Sequence, residues 1–264
     1  MTEKSILVNG ENLFYFDNEK GKTTLLFLHG AFINKGYWEN QLNFFDQKFR
    51  VVAVDIAGHG KSTHSRTKLT CQNFGKDISE FIEALSLKNV IIIGHSFGSD
   101  VMLETVNQNS SQIVGLIEVD HMKNVGVEMP KETVQFLVQS LNTNFIATSE
   151  QIARQALITD RTNYQLIERL LNDYKIMNKE IGISLLESSF HYASRETELL
   201  KVLTQKLYLI HVNYSPTNED CLRKYLGNNY ELHTITGTCH YPMIENPSEF
   251  NIVLETIISK IQTN

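Results

Sequence analysis

Short apolar runs alternate with amphipathic stretches through the first half of the chain, the pattern of a mainly parallel sheet covered on both faces by helices. The runs predict strands at Ile6–Val8, Leu13–Asp17, Thr24–Leu28, Arg50–Val54, Val90–Gly94 and Val114–Val119. The first two, separated by Asn9, Gly10, Glu11 and Asn12, read as a hairpin. After a polar loop, Phe74, Ile78, Phe81, Ile82 and Leu85 recur at helical spacing and predict a helix over Cys71–Leu85. From His121 to Lys206 the strand signals stop. Pro130 stands where a first-turn proline belongs, and Lys131–Leu141, Ser149–Thr159, Tyr164–Met177, Lys179–Phe190 and Arg195–Gln205 read as helices. Strands return at Leu207–Val212 and Tyr230–Ile235, before a closing helix over Ser248–Ile261. The expected organisation is a sheet domain made of residues 1–120 and 207–264, interrupted by a helical insertion over residues 121–206. That insertion is far longer than an ordinary connection, and its place over a sheet edge makes it a candidate lid.

Composition changes this picture little. The 264 residues are 42% hydrophobic and 20% charged, with no biased tract, as in ordinary globular proteins. A net charge of -6, with no stripe of Lys or Arg, argues against nucleic acid or an anionic membrane as partner. Met1 to Phe16 lacks the basic start and apolar run of a signal peptide, and no run approaches the roughly 18 apolar residues of a transmembrane helix. Cys71, Cys221 and Cys239 show neither CxxC nor zinc-ligand spacing. A cytoplasmic protein without a metal is expected; the oligomeric state is not legible.

Candidate chemistry enters at Gly94, His95, Ser96, Phe97, Gly98, fused to the apolar run Val90, Ile91, Ile92, Ile93. A buried strand that passes through Gly-X-Ser-X-Gly into a helix turns so tightly that the serine is strained and its hydroxyl exposed, as a nucleophile requires. A serine hydroxyl needs a neighbouring base, and histidine suits the task because its pKa lies near neutrality. Of the nine histidines, His240 is best placed, on the loop between the last strand and the closing helix.

With these motifs the chain resembles the α/β-hydrolase superfamily. The resemblance runs through four segments in order: His29, Gly30, Ala31 and Phe32; Asp55 to Ser62; the serine turn; and Gly237 to Pro247. It implies a mostly parallel eight-stranded sheet flanked by helices, with a helical cap. It also implies an oxyanion hole made by the main-chain amides of Ala31 and Phe97, and structural roles for His29, His59, His95 and Asp55.

The acid that orients the histidine is where this sequence departs from the usual pattern. The family commonly carries an Asp on the loop after the strand that follows the lid, and here Asn213, Tyr214, Ser215 and Pro216 stand there. Glu219 and Asp220 come next but read as the first turn of a helix, where acids are favoured. Asp120 ends the strand Val114–Val119, facing the crevice outside a parallel sheet, and some families of this fold, certain lipases among them, carry their acid at that point. It is the preferred candidate. His121 competes for it, and Asn213 remains an uncharged alternative.

The expected activity is a serine hydrolase that cleaves a carboxylic ester or related acyl bond through an acyl-enzyme on Ser96, with His240 as general base and no cofactor. A serine where haloalkane dehalogenases and epoxide hydrolases of this fold carry Asp argues against their chemistry. The substrate is expected to be a small molecule, held by Phe32, Phe136, Tyr192 and Tyr241. The alternative is a ligand-binding or signalling protein of the same fold with slow or single-turnover hydrolysis.

Overall fold

The computed structural model describes residues 1–66 and 69–263. Eight strands, β1 (Glu3–Val8), β2 (Glu11–Asp17), β3 (Thr24–Leu28), β4 (Arg50–Val54), β5 (Val90–His95), β6 (Ile113–Val119), β7 (Leu207–Val212) and β8 (Tyr230–Ile235), form one sheet in the order β1-β2-β4-β3-β5-β6-β7-β8. β2 pairs antiparallel with both β1 and β4, and every pairing from β4 to β8 is parallel. Strands β3, β5 and β7 are buried at every position, because helices cover both faces, and this is why they read as largely apolar runs.

The helices are α1 (Glu39–Phe45), α2 (Cys71–Ala84), α3 (Phe97–Gln108), α4 (Lys131–Thr143), α5 (Phe145–Ala156), α6 (Tyr164–Ile176), α7 (Lys179–Phe190), α8 (Ala193–Val202), α9 (Glu219–Leu226), α10 (Pro242–Glu245) and α11 (Pro247–Thr263). No helix among the described residues is long and apolar enough to cross a membrane. Several lie differently from the sequence expectation: α10 has no counterpart in it, and α8 runs over Ala193–Val202 and not Arg195–Gln205. Helix α1 has no counterpart in it, although Trp38, Gln41, Leu42 and Phe45 are buried at helical spacing. Helix α5 begins four residues before Ser149, because the Asn144 side chain caps it by accepting the Ala147 N–H at 3.2 Å and Phe145 is buried.

The sheet order decides where chemistry can gather. Register pairs Leu28 with Gly94 and His95 with Val119, so β3, β5 and β6 end side by side. The residues just past those ends are His29–Phe32, Ser96 and Asp120, and the loop after β8 carries His240 on the same edge. Helices α4 to α8 fill the chain between β6 and β7. They are tied back to the sheet domain by Tyr37 Oη donating to Asp173 at 2.7 Å and by the Arg195 pair with Glu104 at 2.9 Å.

Candidate active site

Ser96 stands between β5 and α3 with φ 52° and ψ −127°, a conformation that costs a side-chain-bearing residue on the order of 1–3 kcal/mol. Glycines make the turn possible. A Cβ on Gly94 would come within 2.6 Å of the Gly98 carbonyl oxygen, and one on Gly98 within 2.6 Å of the Leu28 carbonyl oxygen. Phe32 (φ 67°) and Asp120 (φ 55°) are likewise left-handed, so three strained non-glycine residues meet at one sheet edge.

The structure brings His240 to Asp120: Nδ1 lies 2.8 Å from Oδ2, with both side chains buried. The other Asp120 oxygen, Oδ1, accepts the Val212 N–H at 2.7 Å and faces the Lys123 ammonium at 2.8 Å. Burial pushes the Asp120 carboxyl upward, but His240 and Lys123 outweigh it and hold the group below the usual carboxylate range. His240 Nε2 is buried without a hydrogen-bond partner among the described residues.

The neighbouring histidines serve the scaffold. His95 donates Nε2–H to the His240 carbonyl at 2.8 Å, and its ring lies 4.6 Å from that of His240. His29 accepts the Ile56 N–H at 3.0 Å and donates to the Gly30 carbonyl at 2.8 Å. Burial holds His29 at about 4 and His59 at about 3, so both are neutral. Asp55 shapes its loop: it accepts the Lys35 and Lys61 amides at 2.8 and 3.0 Å and pairs with the Lys35 ammonium at 2.7 Å.

Of the other candidates for the acid, Asn213 accepts the Gly237 N–H at 3.2 Å, while Glu219 and Asp220 open α9 and pair with Arg223. His121 turns away from Asp120 and bonds Asp100 at 3.0 Å, with a Glu196 oxygen 4.0 Å off. Burial opposes its charge, but the carboxylates of Asp100, Glu196 and Glu118 prevail and raise His121 to about 10. Burial and the Asp100 charge push Glu196 up to about 7. Ligand atoms of Asp100, His121 and Glu196 fall within 4.8 Å of one another, with His121 facing both carboxyl groups, at 3.0 and 4.0 Å.

A cavity of about 160 Å3 opens beside Ser96. Phe32, Ile152, Leu157, Tyr174, Leu186 and Tyr241 give it apolar walls, and Ala31, Ser149, Ser189 and His121 add polar groups. Phe97 is the first residue of α3, so its N–H has no partner inside the helix, and neither that amide nor the Ala31 amide bonds elsewhere among the described residues.

Two residues expected at the substrate lie elsewhere. Phe136 is 67% exposed on the outer side of α4, two positions (about 200° of helix) from the buried Val134. Tyr192 is buried at the start of α8, where its hydroxyl donates to Glu104 at 3.1 Å. The sequence reading also missed the support behind Asp120. Buried Glu118 bonds His211 at 2.8 Å and accepts the amides of His121 and Met122, bracing the loop that carries the acid.

Residues 23–162, more than half of the chain, match the family described as the alpha/beta hydrolase fold, and the chain belongs to that family. Over 115 residues it is 32% identical to a probable 1-acylglycerol-3-phosphate O-acyltransferase of Oryza sativa subsp. japonica, covering 41% of this chain and 27% of that protein. A non-heme chloroperoxidase of Streptomyces lividans is 35% identical over 92 residues, covering 34% of this chain and 33% of that protein. The chain thus spans about a third or less of the length of these curated relatives. Among solved structures, a thermophilic esterase from Thermogutta terrifontis superposes with a TM-score of 0.83 at 17% identity over 99% of both chains, a likeness of fold.

Proposed function

We propose that the protein is a serine hydrolase that cleaves a carboxylic ester of small or medium size, or a related acyl bond, through an acyl-enzyme on Ser96. One observation carries this reading: His240 is anchored through Nδ1 to Asp120 at 2.8 Å, while its Nε2 is buried with no hydrogen-bond partner among the described residues, at the sheet edge that holds Ser96. In the first step Ser96 Oγ attacks the ester carbonyl as His240 Nε2 takes its proton, and the imidazolium is stabilised by Asp120. The oxyanion accepts the N–H groups of Ala31 and Phe97, and the alcohol leaves with the proton from His240. Water, activated by the same nitrogen, then attacks the acyl group, releases the acid and returns the proton to Ser96.

The cavity beside Ser96 takes the acyl portion, with Phe32 and Tyr241 among its walls. Residues 121–206 act as the lid over it, contributing Ile152, Leu157, Leu186 and Ser189. The esterase and O-acyltransferase names among the similar proteins agree with acyl chemistry. Cys71, Cys221 and Cys239 are all unpaired, which suits a reducing cytoplasm.

Fluorophosphonate labelling tests the nucleophile: wild type should label and Ser96→Ala should not, and equal labelling of the two sinks the reading. Release of p-nitrophenol from an ester series should continue far beyond one equivalent. A stop after one equivalent marks a binding protein instead.

A further inference from the structure

Lys123 is buried three residues after Asp120, and each hydrogen of its ammonium has an acceptor. Nζ lies 2.8 Å from Asp120 Oδ1, 2.8 Å from the Val212 carbonyl and 3.3 Å from the Ser215 carbonyl, and 4.2 Å above the Tyr214 ring. Its main chain is fixed as well, since its amide donates to the His121 carbonyl at 2.7 Å and its own carbonyl accepts the Asn218 N–H at 2.8 Å. Val212 ends β7 and Asn213 to Ser215 begin the loop after it, a stretch that offers carbonyls and no carboxylate. Lys123 therefore joins that loop to the carboxylate at the end of β6.

We infer that Lys123 is a positioning residue of the Ser96 site: it clamps Asp120 Oδ1 so that Oδ2 meets His240. The inference rests on the reading of His240 as general base. Asp120 stabilises a protonated His240, and a cation 2.8 Å from the other carboxylate oxygen offsets part of that attraction. The remaining groups around the pair contribute little charge. Burial holds His95 neutral, and it raises the hydroxyls of Tyr214 and Tyr241 and the thiol of Cys239. The charge of His121 is met by Asp100 at 3.0 Å.

The test compares wild type with Lys123→Gln, which still donates hydrogen bonds but carries no charge, and with Lys123→Arg, which retains it. Two readouts are followed against pH, the fluorophosphonate labelling rate of Ser96 and the NMR titration of the His240 imidazole. In Lys123→Gln both should move to higher pH by about one unit, which is about a tenfold loss of labelling rate on the acidic limb. Lys123→Arg should stay with wild type. A Lys123→Gln profile that coincides with wild type, or a Lys123→Arg profile displaced as far as Lys123→Gln, overturns the inference. If Lys123→Gln does not fold, the double variant Asp120→Asn/Lys123→Gln decides: recovered folding supports the pairing and continued failure refutes it. Wild type that takes no label defeats the hydrolase reading by itself, and the NMR titration still tests the effect of Lys123.

Discussion

Asp120 and His240 stand 120 residues apart in the chain and 2.8 Å apart in the fold, carboxylate Oδ2 to imidazole Nδ1. The bond spans β6 and the loop after β8, with β7 between them, so the acid reaches across one strand to its partner. Asp120→Asn should lower turnover of a p-nitrophenyl ester by about 10⁴. Asn213→Asp in that background should restore nothing, because Asn213 Oδ1 is engaged by the Gly237 amide at 3.2 Å. Full turnover by Asp120→Asn removes Asp120 from the mechanism.

The tight turn at Ser96 predicts a contrast between two glycines. A Cβ on Gly98 meets main-chain oxygens of Leu28 and His29 at 2.6 and 2.7 Å, neither of which can yield without moving β3. Gly98→Ala should cost about 3 kcal/mol or more in urea unfolding. Gly227 has φ 58° but open space around it, so Gly227→Ala should cost only about 1–2 kcal/mol from strain. Equal losses would show that crowding at the turn is not what excludes a side chain.

His121 gives stability a dependence on alkaline pH. Its folded value of about 10 lies above the ordinary 6.5, so its contribution is complete below about pH 6.5 and is lost as pH rises toward 10. The ring is 29% exposed, and with solvent screening allowed for, the loss should be on the order of 2 kcal/mol. Urea unfolding at pH 6.5, 8 and 9.5 should show this slope in wild type and a flatter one in His121→Asn. Parallel slopes in the two proteins would count against it.

The cavity walls predict acyl-chain selectivity. Leu186→Phe narrows the space and should reduce kcat/KM for a hexanoate ester about tenfold or more while sparing acetate. Phe136→Ser, on the outer side of α4, should leave both esters within about twofold of wild type. A chain-length effect from Phe136 alone would relocate the acyl pocket.

The sheet is legible in the sequence where strands are buried on both faces and few polar positions interrupt the run, as in Thr24–Leu28, Arg50–Val54 and Leu207–Val212, whose limits agree with the fold; the edge strand Tyr230–Ile235 keeps its limits although Glu231, His233 and Thr234 break its run. Helix α1 is harder to see, since one of its inward positions is Gln41, which is polar and bonds the Met243 carbonyl and Asn251. At the site, Ser96, His240 and Asp120 each follow a strand end, a position that apolar runs mark. Lys123 and Glu118 have no such mark, because a buried charge looks like an exposed one until its partners, here on β6, β7 and the following loop, are assembled in space. Phe136 shows the converse: an aromatic residue in a helix of the insertion invites a pocket assignment that helical phase, counted from Val134, argues against.

Four hydrogen bonds fasten the stretch from Leu157 to Thr162 to the loop that carries His240. Leu157 O accepts the His240 amide at 2.8 Å, Thr159 and Thr162 donate to the Thr238 carbonyl at 2.9 and 3.0 Å, and the Thr238 hydroxyl donates to Thr162 at 3.3 Å. Lifting that stretch would pull His240 away from Asp120 as it uncovered the cavity. If residues 121–206 act as the proposed lid, the end of α5 would be its fixed side, and entry that leaves the proposed base in place would need the opposite side to move.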